Sequence, residues 1–313
     1  MIRRPLLAVS LTFALAAPAG ASGSPTLRRS LSARSAAMAD AYAAVSGGLS
    51  SLSTNPAGLA AARRPQLDTT FTSGVLDDSF GFLGWAQPLA LGVAAAGLSY
   101  YDAGRVDLHF TGGRTETRNA QRDFVGHLAW GLPLSGEFSV GATGKYYRFE
   151  LAQEARTAGF AGDVGAQWQT PLKGLRLGAA LQNAGPGVKF EVESDPLPFT
   201  TRGGASWSWV SAPVPAGTDP ATLGEHTFTR LIASAEAIKV RDEAIIGALG
   251  SELAMDFGPT TSIALRAGWR LNSDSARLCV GVGMREGRFM LDYAMAEKRT
   301  LGQTHYAGLG VRF

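Results

Sequence analysis

The chain of 313 residues carries 29 basic and 26 acidic side chains, 39 glycines and one cysteine, Cys279. A lone thiol excludes an internal disulfide framework and any multi-cysteine metal centre. The near-balanced charge, with 27 basic residues left once Arg3 and Arg4 depart with a leader, gives no reason to expect nucleic acid or an acidic substrate.

In chain order, "MIRRPLLAVSLTFALAAPAGA" has the three parts of a secretory signal: Arg3 and Arg4, the apolar run Leu6 to Ala17, and the small-x-small site Ala19-Gly20-Ala21. The run falls short of the roughly 20 apolar residues of a membrane helix, and Pro18 breaks it. Residues 1–21 are therefore expected to be removed after export. Residues 22–63 come next, and their centre, "SARSAAMADAYAAVSGGLSSLSTNPAGLAA" (32–61), has almost no large apolar side chain. It reads as a small-residue helix from Ala36 to Val45, a Ser/Gly-rich loop, and an abrupt Asn55-Pro56. Pro56 fixes φ and pushes Thr54-Asn55 toward extended or turn geometry, where Asn55 can bond neighbouring backbone. Such a segment cannot build a core of its own.

From residue 64 onward the period is two. Phe160, Gly162, Val164, Ala166 and Trp168 share one face against Asp163, Gly165, Gln167 and Gln169; Ile263, Leu265, Ala267, Trp269 and Leu271 oppose Ser262, Arg266, Arg270 and Asn272. Alternation of this kind marks strands with one apolar and one polar face. A soluble sandwich would bury the apolar face, whereas an outer-membrane barrel turns it to lipid. Three features favour the barrel. The segments run about 9–12 residues, enough for a tilted strand to cross a bilayer. Trp168, Trp207, Trp209, Trp269 and Tyr293 fall on the apolar face toward strand ends, as interfacial girdles require. The connections alternate between tight turns (87–90, 134–137, 170–174, 257–260, 285–287) and longer polar loops (102–121, 150–157, 183–198, 271–276, 296–304), the exception being a Pro-rich insertion at 211–226. The fold class expected is all-β, a transmembrane outer-membrane barrel of about 14 antiparallel strands over 64–313. An even count puts residue 64 and Phe313 on the periplasmic side, and the alternating end "HYAGLGVRF" resembles the signal read by the barrel-assembly machinery.

With these features in place, "SARSAAMADAYAAVSGGLSSLSTNPAGLA" resembles the N-terminal region of the FadL-type outer-membrane transporters and the related PorV/PorQ family. The positions that match are Ala36 to Val45, Ser46 to Ser51, and Asn55-Pro56-Ala57-Gly58; Gly47-Gly48 stand where the family commonly has two acidic residues. "LQNAGPGVKF" (181–190), "PLPFTTRGGASW" (196–207), "RAGWRLN" (266–272) and "LDYAMAEKRTLGQTHYAGLGVRF" (291–313) extend the resemblance on the PorV side across nearly the whole chain. It implies that residues 22–63 fold inside the barrel as a hatch, with Ala36, Ala37, Met38, Ala41, Tyr42, Asn55, Pro56, Ala57 and Gly58 as its packing residues.

No chemistry of an enzyme is spelled out. His109, His127, His226 and His305 have no metal-ligand spacing, and there is no nucleophile elbow and no phosphate loop. No catalytic residue, metal or cofactor is expected. The lumen face carries Lys145, Asp163, Arg176, Arg202, Glu252, Arg266, Arg270 and Asp292, a mixture of signs suited to ion pairs that brace the barrel and hold the hatch. Cys279 falls on the same face as a small filler. The function expected is passage or binding of hydrophobic or amphipathic molecules through a hatch-gated barrel in the outer membrane. The alternative is a PorV-like accessory barrel of type IX secretion that binds exported proteins. Partners expected are outer-membrane lipid, the assembly machinery, and a hydrophobic small molecule or an exported protein.

Overall fold

The computed structural model describes residues 25–74, 78–109, 115–189, 194–211, 227–257, 260–273, 277–298 and 302–313. Residues 1–21, on which the expected export signal falls, residues 22–24 and nearly all of the 211–226 insertion lie outside them.

Period-two alternation becomes fourteen antiparallel strands in one closed sheet. The first half comprises β1 (Gln66–Ser73), β2 (Ser79–Leu89), β3 (Gly92–Asp102), β6 (Gln121–Pro133), β7 (Phe138–Leu151), β8 (Ala155–Gln169) and β9 (Leu175–Ala184). The second comprises β12 (Thr200–Val210), β13 (Thr227–Val240), β14 (Ile246–Phe257), β15 (Thr261–Leu271), β16 (Leu278–Glu286), β17 (Phe289–Lys298) and β18 (Gly302–Arg312). Each pairs with its neighbour, and β1 closes on β18 from Gln66 opposite Arg312 to Ser73 opposite His305. Closure leaves no unpaired strand edge, the condition for a sheet in lipid.

Two short hairpins, β4 (Arg105–His109) with β5 (Thr115–Asn119) and β10 (Val188–Lys189) with β11 (Ser194–Asp195), stand in the 102–121 and 183–198 connections. The 150–157 connection, expected as a longer loop, is only a three-residue turn over 152–154. β7 and β8, at 14 and 15 residues, pair through Leu151 opposite Ala155, so the sheet itself continues beyond the belt.

The wall is turned inside out relative to a soluble sheet. Leu128, Phe160, Val164, Leu265 and Leu291 are exposed on the outside, while Asp163, Lys145, Arg202, Glu252 and Arg266 are buried inside. Trp168, Trp207 and Trp209 lie near the end that carries the tight turns, and Trp269 lies near the opposite end. Tyr293 sits mid-strand in β17 rather than at an end. Its hydroxyl is satisfied there by a hydrogen bond with His305 Nδ1 at 2.7 Å, so it needs no water at an interface. A closed barrel with an apolar outer belt between aromatic residues is an outer-membrane protein.

Candidate functional site: the filled lumen

Residues 26–62 lie within the barrel, most of them buried. Helix α1 covers only Ala33–Ala37, capped by the Ser32 hydroxyl, which accepts from the Arg34 amide at 3.1 Å. The longer helix expected from Ala36 to Val45 does not form. Ala39 and Asp40 take left-handed backbone, each with φ of 54°, a conformation that costs about 1–2 kcal/mol for a residue with a Cβ. What stabilises this path is the wall. Arg270 Nε donates to the Ala39 carbonyl at 3.0 Å and an Arg202 Nη to that of Asp40 at 3.3 Å. Glu236 accepts from the Ala43 amide at 2.7 Å, Gln167 Nε2 donates to the Ala43 carbonyl at 2.8 Å, and the Ser206 hydroxyl donates to that of Ala44 at 2.8 Å. The backbone groups that a helix would pair internally are paired to strand side chains instead, which meets the rule that buried polar groups find partners.

Asn55 ties the second half of the segment. Its backbone is extended, its side-chain oxygen accepts from the Ala57 amide at 3.1 Å, and it caps the 3-10 turn Pro56–Ala61. Its amide nitrogen donates to the Ala43 carbonyl at 2.7 Å and to Ala166 of the wall at 3.0 Å. Leu49, Leu52 and Leu59 pack with Phe80, Phe82 and Val93 of the wall. Met38, Tyr42 and Val45 form a separate buried group, and Ala41 packs against Ile238, Val240 and Ala248.

Close approach is possible because the wall presents glycine where the segment touches it. A Cβ on Gly141 would strike Pro56, one on Gly178 the Ala43 carbonyl, and one on Gly268 the Ala39 amide. Small residues on the segment face missing side chains on the wall.

The charges expected on the lumen face fall into several groups, two of which meet at Asp40. Glu252 receives Arg34 from the segment and Arg266 from β15, and Arg266 also reaches Asp292 at 2.6 Å. Lys145 pairs with Asp163 at 2.7 Å and donates to Asn183 at 2.8 Å. Arg202 pairs with Glu236 at 2.7 Å, Arg270 with Asp40, and Arg176 donates to the Ser46 hydroxyl at 2.6 Å. Cys279 is buried beside Ala39 and Ala296. His127 shares a hydrogen bond of 3.3 Å with the Ser99 hydroxyl, but its Nδ1 has no partner among the described residues, so no carboxylate orients the pair.

Arg34 and Asp40 were not among the residues singled out from the sequence. They are the sole charged residues between positions 30 and 62, a signal that was available. Burial works against the Arg34 charge, but the Glu252 carboxylate prevails and holds the guanidinium above its ordinary range. Burial likewise pushes the Tyr42 phenol up, beneath an Arg34 guanidinium 5.6 Å from its ring.

The space bordering the segment is small and polar. A cavity of about 50 Å³ toward the loop end is lined by Arg28, Arg29, Asp40, Arg202 and Arg270. Another of about 130 Å³ toward the tight-turn end is lined by Arg34, Glu252, Arg266, Arg285 and Asp292.

No family model matches the chain, and no curated protein matches it. Solved structures do. The CymD monoaromatic hydrocarbon channel aligns over 90% of this chain and 97% of its own, with 11% identity and a TM-score of 0.57. The Pseudomonas putida toluene transporter TodX aligns over 90% and 96%, with 11% identity and a TM-score of 0.53. The Ralstonia pickettii toluene transporter TbuX aligns over 90% and 97%, with 12% identity and a TM-score of 0.52. The chain shares its fold with outer-membrane hydrocarbon channels.

Proposed function

We propose that the protein is a non-enzymatic conduit for hydrophobic or amphipathic molecules across the outer membrane, with residues 22–63 as a hatch of the FadL type. The observation that carries this reading is the segment wedged in the lumen, held by side-chain hydrogen bonds and ion pairs rather than by strand pairing. Contacts of that kind can be exchanged without opening the sheet. The shared fold with channels named for monoaromatic hydrocarbons and toluene supports the apolar class of cargo.

Pinning the hatch tests this. Ala41 shares a buried cluster with Ala248 of β14, and cysteines at both positions, joined by oxidation or by a short reducible cross-linker, would lock the segment to the wall. Cells producing the locked protein should lose uptake of a labelled monoaromatic hydrocarbon or long-chain fatty acid and regain it with reductant. Uptake unchanged by the lock contradicts a moving hatch. The sequence resemblance to PorV-type barrels supports a second reading, binding of exported proteins at the outer mouth. It predicts that the lock leaves retention of exported proteins intact and that uptake of neither probe depends on the barrel.

A further inference from the structure

The outer wall holds a feature that the lumen does not explain. On β6 and β7, Gly126 and Gly144 both face outward, and a Cβ at either would meet nothing closer than 3.9 Å. The missing side chains leave a recess of about 630 Å³ in the lipid-facing belt, bordered by Leu98, Leu128, Tyr146 and Phe160. Strand register aligns these residues: Leu98 lies opposite Gly126, Gly126 opposite Tyr146, Leu128 opposite Gly144, and Tyr146 opposite Phe160. The Tyr146 and Phe160 rings lean on one another at 5.3 Å and form one side of the trough.

Toward the loop end the same faces become charged. Asp102, Arg122, Glu150 and Arg156 stand directly opposite one another on β3, β6, β7 and β8, a row of alternating sign. Arg122 reaches Asp102 at 3.1 Å and Arg156 reaches Glu150 at 2.9 Å. Arg148 sits between this row and the trough, exposed on the outward face, with no ion-pair partner among the described residues. At about 3.3 Å per residue, it stands roughly 7 Å beyond Tyr146 along β7. The row compensates itself, and the uncompensated charge is the one nearest the recess.

We propose that this wall segment binds an anionic lipid of the outer leaflet, with a head-group phosphate on Arg148 and an acyl chain in the recess over Gly126 and Gly144. The loop end of the barrel faces the cell exterior, since long connections lie outside and tight turns in the periplasm. The occupant is therefore the phosphorylated, many-chained glycolipid of that leaflet. A guanidinium offers a phosphate paired donors, and the recess accepts the chain that hangs below it.

The test uses full-length protein in a neutral detergent, titrated with purified lipid A and, in parallel, with phosphatidylglycerol, and read by native mass spectrometry. Wild type should retain lipid A in preference to phosphatidylglycerol. Arg148→Glu should weaken lipid A binding at least fivefold, and Gly126→Leu with Gly144→Leu, which fills the open recess, should do the same. Lys173→Glu, an equal charge change on a tight turn at the other end, should leave binding unchanged. Heat-modifiable migration of each variant on gels confirms the closed barrel, and should the glycine pair fail to assemble, Arg148→Glu decides alone. Lipid A bound as tightly by Arg148→Glu as by wild type overturns the proposal. So does equal weakening by Lys173→Glu, or equal retention of phosphatidylglycerol.

Discussion

The Arg34 guanidinium, on the lumen segment, grips the Glu252 carboxylate of the wall through two hydrogen bonds of 2.7 and 2.6 Å across 218 positions of sequence. Arg266 donates to the same carboxylate at 2.6 Å, so one buried anion serves the lumen segment and the wall at once. Removal of Arg34 leaves Glu252 compensated by Arg266. Removal of Glu252 leaves Arg34 buried with its main partner gone.

An asymmetry follows for the two truncations. Glu252→Ala should loosen the segment by about 3–5 kcal/mol, the cost of stranding a buried charge, and Arg34→Ala by less. Hydrogen exchange of residues 32–45 in detergent measures both. Equal effects, or none, would show that the pair does not anchor the segment.

Glycine substitutions on the wall should divide by the direction they face. Gly178→Val or Gly268→Val drives a side chain into the backbone of Ala43 or Ala39, with an overpacking cost of roughly 1–3 kcal/mol. Gly203→Val on β12 meets open space and faces outward. Limited proteolysis should cut the N-terminal segment faster in the first two variants and at the wild-type rate in the third. Equal cutting in all three contradicts the close-packing account.

Phe313 should matter for assembly rather than for the closed barrel's interior. Phe313 donates its amide to the Pro65 carbonyl at 3.0 Å, and its ring lies 5.4 Å from that of Trp85, at the seam of β1 and β18. Deleting Phe313 should lower the yield of heat-modifiable protein in the outer membrane while synthesis and export continue. Unchanged yield argues against a role for this residue in assembly.

The barrel was legible because its signal is local. Ile263, Leu265, Ala267 and Trp269 alternate with small or charged residues (Ala264, Arg266, Gly268, Arg270), and the sheet places them outside as that pattern requires. The lumen segment was less so, because its alanines favour a helix that Glu236, Arg202, Arg270 and Gln167 interrupt by bonding its backbone from distant strands. Pairings such as Arg34 with Glu252 depend on which strands face which part of the segment, and no local spacing encodes that. Gly178 and Gly126 look alike in sequence, yet one receives the Ala43 carbonyl and the other opens toward lipid.

The hatch itself is tested most directly by single-barrel conductance in planar bilayers. Full-length protein, with its lumen filled, should conduct poorly. A variant lacking residues 30–55 should form an open pore, since a barrel of about 14 strands is wide enough for water once emptied. If that variant assembles with normal heat-modifiable migration and conducts no better than the full-length chain, the N-terminal segment is not the gate.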